Sequence, residues 1–228
     1  MFTPFTFVLT CPHCGATKRV GQSFTPKGTP VLWSDGRMEI EGVQLASRTQ
    51  QCPSCKHFFI LSDKTTMTTE DGICENRGVL PLQSYKQALA EMKLTEEEEN
   101  WVRMEAWQAY NKLYNDVGDD DIPTEDYDFN QENMRWLLMH QLSHERNSIM
   151  VFEFLRLLGE DDLYRKLLQD FTFEVFVEEE QRDRGIPKKD READLKKKEE
   201  EYRDDYLHYM ASRKEWFTKP RRVIKMSI

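Results

Sequence analysis

Cys11-Pro12-His13-Cys14 and Cys52-Pro53-Ser54-Cys55 are the residues whose types and spacing could do chemistry in this chain. Each pair places two soft thiolate donors on one tight turn. Two such turns complete a tetrahedral shell of the kind that suits Zn²⁺. Proline in second place stiffens the turn. Gly15, after Cys14, supplies the positive φ that lets backbone N–H groups approach sulfur. The second cluster has Lys56 at that place, a departure whose ammonium could offset the negative charge of a closed four-thiolate centre. The pattern predicts one structural Zn²⁺ per chain, with Cys11, Cys14, Cys52 and Cys55 as ligands.

Rival chemistries fit less well. Iron in the same shell would make a one-electron carrier. A thiol–disulfide catalyst needs one exposed CxxC at a helix start, and both clusters here follow strand-like residues. A catalytic zinc keeps an open position, which four cysteines close. His13 lies inside the first turn and is expected to point outward, and His57 reads as a strand residue beside the site. Cys74 is left over and reads as an inert thiol. His140 and His144 are four apart with Glu145 following, but Gln141 stands where zinc proteases need Glu. They read as surface or interface histidines. No nucleophile–base pair or phosphate-binding loop is present in the sequence, so an enzyme is not expected.

The elements that must position the cysteines change character along the chain. Phe5, Phe7 and Leu9 alternate with polar residues before the first turn. Val31-Leu32-Trp33 and Met38 to Glu41 flank Ser34-Asp35-Gly36-Arg37, a hairpin signal because Gly supplies positive φ. His57 to Leu61 reads as a strand leaving the second turn. The polar, Thr-rich stretch within 63–80 reads as a linker. Helical periodicity follows. Gln83–Met92 is a short helix, and Thr95 with Glu98 forms a capping box for a longer one bearing Val102, Ala106, Ala109, Leu113 and Val117 on one face. Residues 119–129 read as a loop, and Asn130–His144, Ser148–Leu158 and Asp161–Asp170 as helices. Phe171–Val177 reads as a strand or a continuation of the preceding helix. Residues 178–205 hold 12 acids and 9 bases, a charged helix or a disordered tract, with a helix favoured from about 188 to 217. Lys219–Lys225 is a basic tail. Trp101, Trp107, Tyr110 and Tyr114 read as core and rim aromatics.

Composition bounds the rest. The 228 residues are 39% hydrophobic and 32% charged, and no apolar run approaches the roughly eighteen residues of a membrane span. The N-terminus lacks the basic start of a signal peptide, so a cytoplasmic protein with reduced thiols is expected. Residues 1–62 hold six bases and three acids, a net of +3, and the other 26 bases and 38 acids leave −12 for residues 63–228. The larger part therefore repels a polyanion.

The two cysteine turns resemble those of a zinc ribbon, the rubredoxin-like pair of four-cysteine knuckles, over about residues 1–62. The chain also resembles bacterial proteins with an N-terminal zinc ribbon, a Trp-Ser-Asp-Gly turn (here Trp33 to Gly36) and a helical region. Leu155 to Leu168 resembles a tetratricopeptide-type helix pair, departing at Asp162 and Arg165. The resulting expectation is an α+β chain: a small β-rich ribbon at 1–62, a linker at 63–80, and a larger, mostly helical, acidic domain at 81–228. The expected role is a non-enzymatic adaptor that engages a protein partner, chiefly through the aromatic-rich helices. The alternative is a nucleic-acid-binding protein using Lys18, Arg19, Arg37, Arg48 and Lys56 for phosphates and Trp33 and Phe58 for stacking.

Overall fold

The computed structural model describes residues 5–44, 47–61, 67–71, 80–115, 117–144, 149–219 and 225–226. It is α+β: strands at the N-terminal end, then helices. β1 (Phe5–Thr10) pairs antiparallel with β2 (Thr17–Trp33), and β2 pairs antiparallel with β3 (Met38–Gln44). β4 (Thr49–Gln51) and β5 (Phe58–Ile60) form a separate two-stranded ladder. β6 (Met67–Asp71) adds to the free edge of β1, giving the order β3-β2-β1-β6. The long β2 keeps no constant register with β3, which shifts between Phe24 and Lys27 and again between Lys27 and Val31. Pro26, Gly28 and Pro30 lie in that stretch; proline removes ladder donors, and Gly28 has φ 74°. The Asp-Gly hairpin forms as expected, with Gly36 at φ 76° and Trp33 N–H donating to Arg37 O at 2.9 Å.

Seven α-helices follow among the described residues: α1 (Leu82–Glu91), α2 (Glu96–Tyr114), α3 (Thr124–His144), α4 (Ile149–Leu158), α5 (Asp161–Asp170), α6 (Phe173–Asp183) and α7 (Arg191–Phe217). α2 starts at a complete capping box. Glu98 N–H donates to Thr95 Oγ1 at 3.3 Å, and Thr95 N–H donates to Glu98 Oε2 at 2.9 Å, a cap worth about 1 kcal/mol. A final strand, β7 (Lys225–Met226), pairs with the Leu32–Trp33 end of β2.

The described residues divide into two compact units, 1–140 with 223–228, and 141–222. In the first, the second cysteine hairpin and the first helices share a core of Phe58, Tyr85, Ala88, Val102 and Ala106. The expected ribbon–helix boundary at 63–80 falls inside this unit. Polar pins run between its helices. Asp126 on α3 takes hydrogen bonds from Lys86 of α1 and, at 2.5 Å, from the Tyr114 hydroxyl of α2. Burial works against that carboxylate, but Lys86 and Tyr114 hold its pKa below the usual range.

The second unit is helical. α4 turns into α5 at Gly159 (φ 73°), where Glu160 N–H donates to Leu155 O and Gly159 N–H to Arg156 O. Gly185 (φ 69°) ends α6 in the same way, with Ile186 N–H on Gln181 O. Both are Schellman ends, which satisfy carbonyls the helix leaves unpaired. Asp162 and Arg165, the two departures from the tetratricopeptide-type pattern, are exposed, and Tyr164 takes the buried place on α5. Phe171, Phe176, Val177 and Tyr202 form the core of α6 and α7, and α7 is kinked at Lys198 (φ −126°, ψ 20°).

Several expectations need correcting. Residues 67–71 of the expected linker are a strand, because β1 has an edge to fill. α3 begins at Thr124, so the loop expected at 119–129 is short and holds a 3₁₀ turn at Asp119–Asp121. Phe171–Val177 is neither strand nor continuation. Phe171 and Thr172 break the chain, Thr172 Oγ1 accepts from Val175 N–H at 3.5 Å, and a new helix starts. The helix favoured over about 188–217 does form, as α7, and residues 178–183 belong to α6. Val102 and Ala106 of the α2 stripe are buried, but Leu113 is 55% exposed, so the stripe is covered only in its first half. Cys74 lies outside the described residues.

Candidate metal centre

Two β-hairpins carry the cysteines at their tips. Thr10 faces Thr17 at the end of the β1–β2 ladder, and Gln51 faces Phe58 at the end of β4–β5. The six-residue loops between them match bond for bond. Cys11 N–H donates to Ala16 O and Gly15 N–H to Cys11 O, at 2.9 and 3.0 Å. Cys52 N–H donates to His57 O and Lys56 N–H to Cys52 O, also at 2.9 and 3.0 Å. Gly15 has φ 72° and Lys56 φ 65°. The second loop therefore holds a lysine in the left-handed region, a strained choice for a residue with a Cβ.

The two loops face each other and bring the four sulfurs together. Cys11 Sγ lies 3.7 Å from Cys55 Sγ, Cys14 Sγ lies 3.7 Å from Cys52 Sγ, and all four lie within 4.8 Å of one another. A regular tetrahedron with metal–sulfur bonds of about 2.3 Å has sulfur–sulfur edges of about 3.8 Å. The cage fits a metal ion, and the separations are too long for disulfides. Cys11 and Cys52 are buried, Phe59, Ala16 and Leu61 pack around the cage, and Cys14 is exposed.

Four thiols this close cannot all ionise without a cation among them. Burial opposes the Cys52 thiolate, yet amide hydrogen bonds from Cys55 and Ser54, with help from the Cys55 and Cys14 side chains, pull it down to about 6. Cys55 has the His57 amide on its sulfur, which favours the thiolate. Burial and the neighbouring sulfurs of Cys14, Cys52 and Cys11 outweigh that amide and push Cys55 up to about 12. A divalent ion relieves this conflict by taking the place of the protons.

The cage is tied to the helices by residues that sequence reasoning missed. Glu105 on α2 accepts from Arg48 N–H (2.6 Å), Ser47 Oγ–H (2.7 Å) and Thr49 N–H (3.2 Å), fastening the entry to β4. The Tyr85 hydroxyl of α1 donates to Ser47 Oγ at 3.0 Å. Asp35, fully buried in the Asp-Gly turn, accepts from Asn111 Nδ2 of α2 at 3.0 Å and from Arg37 Nε at 2.6 Å. That aspartate both makes the turn and docks it. No local pattern marks such long-range pairs.

The residues expected to meet nucleic acid differ in exposure and in partners. Phe58 is 4% exposed in the shared core and presents no face to a base. Arg37 is held by Asp35 and lies over the Trp33 ring, 5.1 Å from its centroid. Arg48 lies over Trp101 at 4.2 Å. Arg19 and Lys56 are exposed. Lys18 is half-buried and donates to Gln50 Oε1 at 2.8 Å. Burial lowers the Lys18 pKa, and the charge on Cys52 works against that.

No histidine is among the residues grouped at the cage. His13 and His57 are exposed and stack on each other, with ring centroids 4.8 Å apart. His140 Nδ1 lies 3.1 Å from Glu96 Oε1 and its ring stacks on Trp136. His144 pairs with Ser143 Oγ at 2.8 Å. Among the described residues no helix is long and apolar enough to cross a membrane.

Fold and site together define an α+β chain with four cysteines, placed so that they could hold a metal ion, between two hairpin tips. No family model matches the chain, and no curated protein and no solved structure matches it.

Proposed function

We propose that the chain is a non-enzymatic adaptor in which one Zn²⁺, held by Cys11, Cys14, Cys52 and Cys55, has a purely structural task. The observation that carries this reading is the closed sulfur cage: four donors at tetrahedral separations leave a bound ion no position for a substrate. The ion would hold two hairpins together while the helices meet the partner. Exposed apolar side chains support a protein partner, with Leu113 of α2 55% exposed and Met139 of α3 67% exposed. Charge supports it too, since residues 63–228 carry −12 against +3 for residues 1–62. Long-range electrostatics thus oppose a polyanion.

The test is recovery of the intact chain from its own cells with nuclease treatment. The expected result is one protein retained in stoichiometric amount, and lost when Leu113→Ser and Met139→Ser are combined. Sub-micromolar binding of RNA or duplex DNA at about 150 mM salt, with no retained protein, would overturn the reading in favour of nucleic-acid binding.

A further inference from the structure

Each hairpin contributes two of the four thiolates, so the cage exists only if the hairpins stay in register with each other. Lys18 is placed to ensure that. It sits on β2 opposite Leu9, just beyond the first loop. Its ammonium reaches across to the second hairpin and donates to Gln50 Oε1 at 2.8 Å and Gln51 O at 3.4 Å. Gln51 immediately precedes Cys52. Gln50 is fully buried, and its Nε2 donates to Ser47 O at 2.7 Å, which prevents the amide from turning away. Ser47 is held in turn by Glu105 and Tyr85. A continuous chain of hydrogen bonds thus runs from the first hairpin through Lys18, Gln50 and Ser47 to α1 and α2.

Charge gives the same residue a second task. Four thiolates around a divalent ion leave a net negative centre in partly buried surroundings, where an unbalanced charge is costly. Lys56 is exposed and uses its backbone, not its ammonium, on Cys52 O.

We propose that Lys18 is the positioning and charge-compensating residue of the four-cysteine centre: it bridges the two hairpins and lowers the reactivity of the bound thiolates. This rests on the cage being a metal site. The Lys18 ammonium lies against Gln51 O, one residue before Cys52. Supporting groups around a metal typically change affinity 10- to 100-fold when removed.

The experiment uses the intact chain loaded with Zn²⁺ and compares Lys18→Met, Lys18→Gln and Lys18→Arg. Zinc transfer to a chromophoric chelator reports affinity, and alkylation by iodoacetamide reports thiolate reactivity. Lys18→Met is expected to lose about tenfold or more in affinity and to be alkylated several-fold faster. Lys18→Arg should stay close to the parent. Lys18→Gln keeps a hydrogen-bond donor without charge, so it should recover part of the affinity but remain fast to alkylate. Should Lys18→Met fail to fold, the contrast between the arginine and glutamine variants decides. The proposal is overturned if all three bind zinc and react as the parent does, or if Lys18→Gln matches the parent in both assays. A parent protein that takes up no zinc at all would instead overturn the metal reading, so the two failures are distinct.

Discussion

Removing the metal from the intact chain is expected to unfold the sheet and the first helices together. Phe58 of the second hairpin packs in one core with Tyr85 and Ala88 of α1 and Val102 and Ala106 of α2. Glu105 holds the entry to β4, and Asn111 holds the turn at Asp35. A structural zinc contributes about 10–16 kcal/mol of apparent binding free energy, comparable with the about 5–15 kcal/mol that stabilises a whole domain. Cys52→Ser, or treatment with a strong chelator, should therefore abolish a substantial part of the far-ultraviolet helical signal. The buried Trp107 should become quenchable. The signal from α6 and α7 should persist, because their core at Phe171, Phe176, Val177 and Tyr202 is their own. Full retention of helical signal after metal loss would show that the hairpins fold apart from the helices, as a boundary at 63–80 implies.

The second large effect belongs to α4. Glu153 and Arg156 are almost completely buried and pair through two hydrogen bonds, Arg156 Nε to Glu153 Oε2 at 2.8 Å and Nη2 to Oε1 at 2.7 Å. Two parallel bonds in a fork make this a strong pair once formed. Removing one partner takes both bonds of the fork from a buried charge, and the cost is about 3–5 kcal/mol. Glu153→Ala and Arg156→Ala are each expected to destabilise the second unit by that amount in urea denaturation. Replacing both together with leucine and methionine should cost much less, because both buried charges are then removed together. Single changes that cost under about 1 kcal/mol would mean that water reaches the pair.

The metal centre was legible in the sequence because its signal is local. Two CxxC clusters, a proline in each turn and Gly15 after the first fix both loops without reference to the rest of the chain. The capping box at Thr95 and the Asp-Gly turn were readable for the same reason. What escaped depends on distant partners. β6 is a strand because β1 offers an edge, and its Thr-rich sequence resembles a linker. Phe171 to Val177 alternates like a strand, but the cap at Thr172 starts a helix, and Phe171 and Phe176 meet edge to face at 6.3 Å. Phe58 read as an aromatic free to stack, and the packing of α1 and α2 takes it instead. Lys18 and Lys56 were equivalent as letters. Only the fold separates them: the Lys18 ammonium reaches Gln50 of β4, and Lys56 is exposed.

The most direct test of the metal centre is X-ray absorption at the zinc edge on protein purified without added metal, combined with elemental analysis. The account predicts a colourless protein with one zinc per chain and four sulfur scatterers at about 2.3 Å. Fewer than four sulfurs, a nitrogen or oxygen in the shell, a red iron-loaded protein, or metal well below one equivalent would contradict it.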